Sequence, residues 1–214
     1  MIGIIKADIV HSRRVLQPAL WLVPLKKWLA KNIGTSPQSW EITWGDFIQL
    51  EISEPQKSIG YAVALKAFLK QLQLPHEGGS KGLDVRISVG VGEKTYTASR
   101  ISESNGPAFI YAGEAFESLQ ASRRRLVFKS GWEALDTDLN LALTLASVFM
   151  DGWTAASAEL VVAVLESPGV RQEDLGHLLG IRQNSVSGRW QRAHLSELLL
   201  LLDYAERKLK AHLP

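Results

Sequence analysis

The sequence predicts an α+β chain in which a sheet unit is followed by a helical unit. Two observations carry this. The first 91 residues alternate short strand-like runs with helical patterns in the order β-α-β-β-α-β. From about residue 132 onward, every patterned segment is helical, with Gly and Pro breaks between segments.

Residues 2–10 form a short apolar run ending in a polar cluster, as a buried strand does. Residues 14–33 read as a helix with Leu16, Leu20, Val23 and Trp28 near one face. Pro18 suits its early turn, and Pro24 is expected to kink or divide it. After a turn-rich break at 34–39, residues 40–44 and 47–52 read as two strands joined at Gly45-Asp46. Pro55 suits the first turn of a helix running to about Leu74. Residues 75–82 read as a loop. Its stretch Gly78-Gly79-Ser80-Lys81-Gly82 lacks the spacing of a phosphate loop and precedes a strand rather than a helix. Residues 83–91 alternate, as a strand with one buried face does.

The order so far is that of a ferredoxin-like split unit, in which the third strand lies antiparallel beside the first. Residues 93–105 read as a mobile connection, and Gly106-Pro107 opens a helix to about Leu119. Arg123-Arg124-Arg125 leads into an outer strand ending at Phe128. A helix over 132–150 closes the first unit, residues 1–150. The second unit, residues 151–214, opens with a helix over 154–166, closed by Ser167-Pro168-Gly169.

Composition excludes several classes of function. Hydrophobic residues make up 46% of the chain, enough for a sizeable core, and the 21% charged residues mix both signs. There is no cysteine, so disulfides, thiolate zinc sites and a cysteine nucleophile are excluded. The longest apolar runs, 160–165 and 198–202, are too short to span a bilayer, and the N-terminus lacks the pattern of a signal peptide. A cytoplasmic location is the expectation. Residues 1–150 carry 17 Lys and Arg against 14 Asp and Glu, and residues 151–214 carry 7 against 8. The second unit is therefore not basic in bulk, and any affinity for nucleic acid there depends on local placement.

In the ferredoxin-like arrangement, the end of the first strand adjoins the start of the third. Asp8 and Asp46 lie at those two ends. Two carboxylates so placed can hold a divalent ion that in turn holds phosphate oxygens, with Glu41 or Asp84 as weaker helpers. The other role open to them is local: Asp46 as a hairpin residue and Asp8 as a turn cap. Trp44, beside the pair, could face a base, although core packing is the commoner role of a tryptophan.

Four stretches together resemble the SatD family, which is itself similar to the class III nucleotide cyclase palm. They are Asp8-Ile9-Val10 with Ser12-Arg13; Gly45-Asp46 with Gln49; Arg86-Ile87-Ser88-Val89-Gly90-Val91-Gly92-Glu93; and Asn105-Gly106-Pro107-Ala108-Phe109. The resemblance covers about residues 1–120. It implies that Asp8 and Asp46 match the two metal aspartates of the cyclases, with Mg²⁺ or Mn²⁺ and a nucleotide as ligands. It also exposes a departure. The cyclase positions for a transition-state Asn and Arg fall on Ile110 and Glu114. An apolar group and an anion cannot stabilise negative charge developing on phosphate.

The tract from Arg171 to Ala193 carries the second motif. Leu175, Leu178 and Leu179 are the packing positions of a first helix, Gly180 makes a turn, and Ile181 and Val186 bury a second helix against the first. Gly176 permits their close approach. The tract resembles the helix-turn-helix of sigma-factor-like regulators, with Val186, Arg189, Arg192 and Ala193 in register with that pattern. Arg182, Gln183, Asn184 and Ser185 open the second helix, where side chains reach base edges. Ser187, Arg189 and Arg192 suit phosphates, and no acidic residue lies between Arg182 and Ala193. A helical hairpin serving only packing or protein contacts is the alternative.

The last helical pattern, 194–213, carries a broad leucine face that suits packing within the chain or pairing with a second copy. Taken together, the motifs lead us to expect a transcriptional regulator that binds double-stranded DNA, works as a homodimer and has no membrane partner. Its cyclase-like palm would sense a nucleotide-like ligand or mediate dimerisation. The alternative is a metal-dependent nucleotide cyclase or related phosphoryl-transfer enzyme.

Overall fold

The computed structural model describes residues 1–76, 79–120, 122 and 124–214. It is an α+β structure with a five-stranded mixed sheet and eight helices among the described residues. The strands are β1 (Ile2–Val10), β2 (Trp40–Thr43), β3 (Phe47–Ile52), β4 (Leu74–His76), β5 (Gly79–Lys81), β6 (Asp84–Gly92) and β7 (Leu126–Lys129). The helices are α1 (Ala19–Asn32), α2 (Ser58–Gln71), α3 (Pro107–Gln120), α4 (Glu133–Met150), α5 (Ala155–Glu166), α6 (Gln172–Leu179), α7 (Gln183–Ala193) and α8 (Leu195–Lys210).

The main sheet runs β2-β3-β1-β6-β7. β1 is central and antiparallel to both β3 and β6, while β7 joins parallel to β6 at the edge. β4 and β5 form a separate ribbon within the stretch expected to be a loop, and Glu77 and Gly78 lie outside the described residues. The expected basic start of β7 is described only at Arg124 and Arg125; Arg123 lies outside the described residues.

Alternation along β1 divides the sheet into two faces. Ile5, Ala7 and Ile9 join the main core, and Ile4 packs with Ile101, Ala108, Phe109 and Ala112 beneath α3. β6 is buried on both sides from Ile87 onward, rather than on one face as its alternation suggested. α3 lies close to it because Gly90 and Gly92 lack side chains: a Cβ on Gly90 would fall 2.3 Å from the Ala112 nitrogen. The outer edge of β7 is closed by one side chain. Asn140 accepts from the Phe128 N–H at 2.9 Å and donates to its carbonyl at 2.7 Å, as a neighbouring strand would.

α1 differs from expectation. It starts at Ala19, after a 3₁₀ turn at Ser12–Arg14, and buries Trp21, Leu25, Trp28 and Leu29. Leu16, Leu20 and Val23 are exposed. Trp28, on the expected face, is buried and stacks on Phe68, ring centroids 5.4 Å apart. Pro24 stands inside α1 without dividing it. Residues 93–105 are tied down by hydrogen bonds between Tyr96 and Asn105, and Ile101 is wholly buried.

One continuous core joins the sheet unit to the C-terminal helices, running from Ile5 and Ile48 through Leu65 and Leu69 to Leu160, Val186 and Leu198. α2 packs on the sheet with one face and on α5 and α8 with another. At this junction Lys66 is completely buried. Its ammonium meets Asp84 at 2.9 Å and Asp151 at 2.7 Å, while Lys70 donates to the Asp151 carbonyl at 2.7 Å. α2, the start of β6 and the turn after α4 are thereby tied together. Among the described residues, no helix is long and apolar enough to cross a membrane.

Burial pushes the Asp84 carboxyl up, but Lys66 and Lys70 pull it down further, so it ionises below its ordinary value. Its stabilising contribution is therefore complete above the ordinary carboxylate pKa of about 4 and is lost as pH falls through the folded value. Lys66→Met should lower the unfolding free energy at neutral pH by about 3 kcal/mol, because two acids lose their buried counter-charge. Urea titrations of both proteins should show this deficit shrinking as the buffer is acidified below pH ~4.

Candidate functional site

Asp8 and Asp46 reach adjacent rungs of one ladder. Asp8 pairs in register with Phe47 of β3, and the next rung is closed by the Ile9 N–H donating to the Asp46 carbonyl at 3.3 Å. β1 and β3 thus bring the two backbones together. Their carboxylates, however, take separate protein partners.

Asp8 faces Arg86 directly across the β1–β6 ladder. The Arg86 Nε donates to Asp8 Oδ2 at 3.1 Å, and a second guanidinium nitrogen contacts the same oxygen. Asp46 Oδ2 accepts from the Ser12 hydroxyl at 2.5 Å. Ser12 is largely buried in the 3₁₀ turn, which follows His11 at φ 62°. The sequence contained the signal for the first pair. Once β1 and β6 are antiparallel neighbours, position 86 lies opposite position 8, and a cation opposite an anion forms a cross-strand pair.

The surroundings extend this pattern of internal neutralisation. Lys6, two residues before Asp8, lies between Gln49 and Ser88 in register. Burial holds its ammonium below the ordinary lysine range, against the attraction of Glu117. α3 roofs this face, with Phe116 edge-on to Phe47 at 5.3 Å between centroids. Gln49 donates to the Ile101 carbonyl at 3.1 Å. Of the positions that a cyclase would use for charge stabilisation, Ile110 is exposed and Glu114 pairs with Lys129 at 2.9 Å.

As placed, neither carboxylate is without a protein partner: Asp8 is paired with a guanidinium and Asp46 accepts from a hydroxyl. The two candidate helpers are engaged elsewhere: Glu41 pairs with Arg100 and Asp84 with Lys66. Trp44 is not core. It stands 90% exposed at the hairpin tip, at φ 50° beside Gly45 at φ 92°. Left-handed backbone is uncommon for a bulky residue and tightens this turn.

The second candidate site is built by α5, α6 and α7. α6 ends on Gly180 at φ 63°, and the Ile181 N–H returns to the Gly176 carbonyl at 2.9 Å. A Cβ on Gly176 would lie 2.9 Å from the Ile181 oxygen and 3.7 Å from Val186 Cγ2, so only glycine fits the crossing without displacement. Leu175 is buried as expected, but Leu178 is exposed and packs nothing. α7 buries Val186 and Ala193. The indole of Trp153 donates to the Ala193 carbonyl at 3.0 Å and fixes the far end of α7 to the turn before α5.

The candidate side chains on α7 separate into two groups. Arg182, Gln183, Asn184, Ser185 and Arg192 are exposed, and Ser187 is half-buried. Arg189 is used internally. Its guanidinium meets Glu159 of α5 at 2.5 Å and reaches the Ala156 carbonyl at 3.5 Å, so it fastens α7 to α5 rather than reaching outward to phosphate. Sequence spacing could not reveal this, because Glu159 lies 30 residues upstream. No family model matches the sequence, and neither does any curated protein.

Asp8→Ala and Arg86→Ala should each lower the unfolding free energy by roughly 1–3 kcal/mol, the range for hydrogen bonds to charged groups. The double variant should cost less than the two single losses together, because the partners are shared. Chemical denaturation of the four proteins measures the coupling; additive losses would mean that the pair contributes nothing.

Proposed function

We propose that the chain is a DNA-binding transcriptional regulator. In this reading, α5, α6 and α7 form a helix-turn-helix unit, with α7 as the recognition helix. The sheet unit, with its strand order matching a ferredoxin-like arrangement, is a cyclase-like palm that senses a nucleotide-like ligand or mediates dimerisation. The chain acts in the cytoplasm as a homodimer.

The exposed surface of α7 carries the proposal. The helix is held through Val186, Ala193 and the Arg189–Glu159 pair, which leaves Arg182, Gln183, Asn184, Ser185 and Arg192 turned to solvent without an acidic neighbour on the helix. Amide and guanidinium groups near a helix N-terminus match the edges of bases, and a free arginine further along matches phosphate. The unpaired N–H groups at the start of α7 favour an anion as well. Arg189 serves here as a positioning residue. The resemblance of the palm to SatD and the cyclases supports the sensor role, and the Asp8–Arg86 pair favours that role over phosphoryl transfer.

Fluorescence anisotropy on a labelled mixed-sequence duplex tests the proposal. Binding should weaken as salt is raised. Arg192→Ala should reduce the slope of log affinity against log salt by about 1, with little dependence on sequence. Asn184→Ala should instead reduce selectivity within a randomised pool. Arg189→Ala should lower the melting temperature of the free protein, an effect that the other two variants lack. No duplex binding at low salt, or an unchanged salt slope in Arg192→Ala, would remove α7 as the DNA-reading element.

A further inference from the structure

The surface that α4 and α8 present together is apolar where a surface helix is normally charged. α4 has no charged residue from Leu139 to Met150. On its outer side, Leu141, Leu145 and Val148 follow one another at helical spacing and are 63%, 64% and 82% exposed. Leu200 of α8 is 67% exposed, and it borders with Leu145 a groove of about 430 Å³ that Ala142, Phe149 and Tyr204 also line. A contiguous exposed patch of this kind marks a contact surface.

The charges around the groove identify what covers it. Glu197 and Arg207 of α8 both line it, five residues to either side of Leu202. Leu200 and Tyr204 lie two residues to either side of the same point. α4 runs antiparallel to α8: Lys208 meets Asp138 at 3.0 Å at one end, and His194 stacks on Phe149 at 5.1 Å at the other. The level of Leu202 on α8 therefore falls near Ala142 and Leu143 on α4. Leu141 and Leu145 bracket that level evenly. A two-fold axis crossing both helices there would bring a second copy down antiparallel. Glu197 would then meet Arg207 of the other copy twice over, with Leu200 against Tyr204 and Leu141 against Leu145. A surface whose opposite charges and apolar groups are symmetric about one point is self-complementary, as an isologous interface requires.

We infer that the α4–α8 surface is the homodimer interface, closed by antiparallel α8–α8 and α4–α4 contacts about the Leu202 level. This goes beyond the DNA-binding reading and does not rest on it. It takes dimerisation away from the palm sheet. The two helices are 18 and 16 residues long, so the face is about 25 Å by 20 Å, on the order of 500 Å². That is smaller than the roughly 800 Å² per partner of a standard interface, which suits a reversible dimer. Glu197 forms no ion pair among the described residues, and Arg207 has only the exposed Asp203 pair of its own helix to exchange.

Sedimentation velocity of the full chain from about 1 to about 100 µM tests the interface, since a reversible dimer has its midpoint in such a range. The wild type should pass from monomer to dimer. Leu145→Lys, at an exposed position, should remain monomeric while melting as the wild type does. Glu197→Arg alone and Arg207→Glu alone each place like charges together and should weaken dimerisation at least about tenfold. An equimolar mixture of those two variants restores opposite charges at both contacts and should recover the dimer. A wild type that is monomeric throughout overturns the inference. So does a dimer indifferent to Leu145→Lys, or a mixture that stays monomeric. A monomeric wild type would also remove the homodimer from the functional reading, while the Arg192→Ala salt slope decides the DNA-reading role of α7 by itself, so the two conclusions fail distinguishably.

Discussion

Lys66 sets the constraint on which the rest of the arrangement depends. An ammonium without solvent contact is tolerated only where opposite charges and hydrogen bonds meet it. Here these come from Asp84 at the start of β6 and Asp151 beyond α4. The requirement draws three distant segments to one point and fixes α2 between them. With α2 fixed, one of its faces covers the sheet and another receives α5 and α8. The sheet unit and the C-terminal helices are accordingly joined by a charged junction inside a continuous apolar core, not by a free linker.

What the sequence made legible divides along the range of the interactions involved. β1 and the Gly45-Asp46 hairpin could be read because an apolar run and turn chemistry are local. Thr154 caps α5 and Gly180 ends α6 for equally local reasons. The misreadings arose where long-range packing overrides local pattern. The α1 face holds at Trp28, which stacks on Phe68 forty residues away, and fails at Leu16, Leu20 and Val23, which are exposed. Leu178 looked like core because its spacing is that of core, yet no other element arrives to cover it. Trp44 is a large aromatic held at a positive-φ tip, where nothing can bury it.

The paired aspartates show the same division at the site. Topology predicted that Asp8 and Asp46 meet, and their backbones do. The chemistry of the pair depended on what stands opposite each side chain. Arg86 compensates Asp8 from the next strand, and Ser12 engages Asp46. The sheet therefore brings two acids to one edge and uses them to hold β1, β3, β6 and the Ser12 turn together.

The order of packing also decides how the sheet unit and α7 could influence each other. α5 touches α2 on one side and α7 on the other, and Arg189–Glu159 makes the second contact directional. A shift of α2 can reach α7 through α5 or through α8, because α2 packs on both helices and both pack on α7. The Lys66 junction ties α2 to the sheet and to the turn after α4, and Trp153 ties the end of α7 to the turn before α5; the two turns are one short segment. Rearranging Asp151 would therefore disturb Trp153, two residues along the chain. The segment from Asp151 to Thr154 thus carries both the acid that meets the buried Lys66 and the indole that fixes the end of α7, so the charged junction and the exposed helix are anchored by one short stretch of chain.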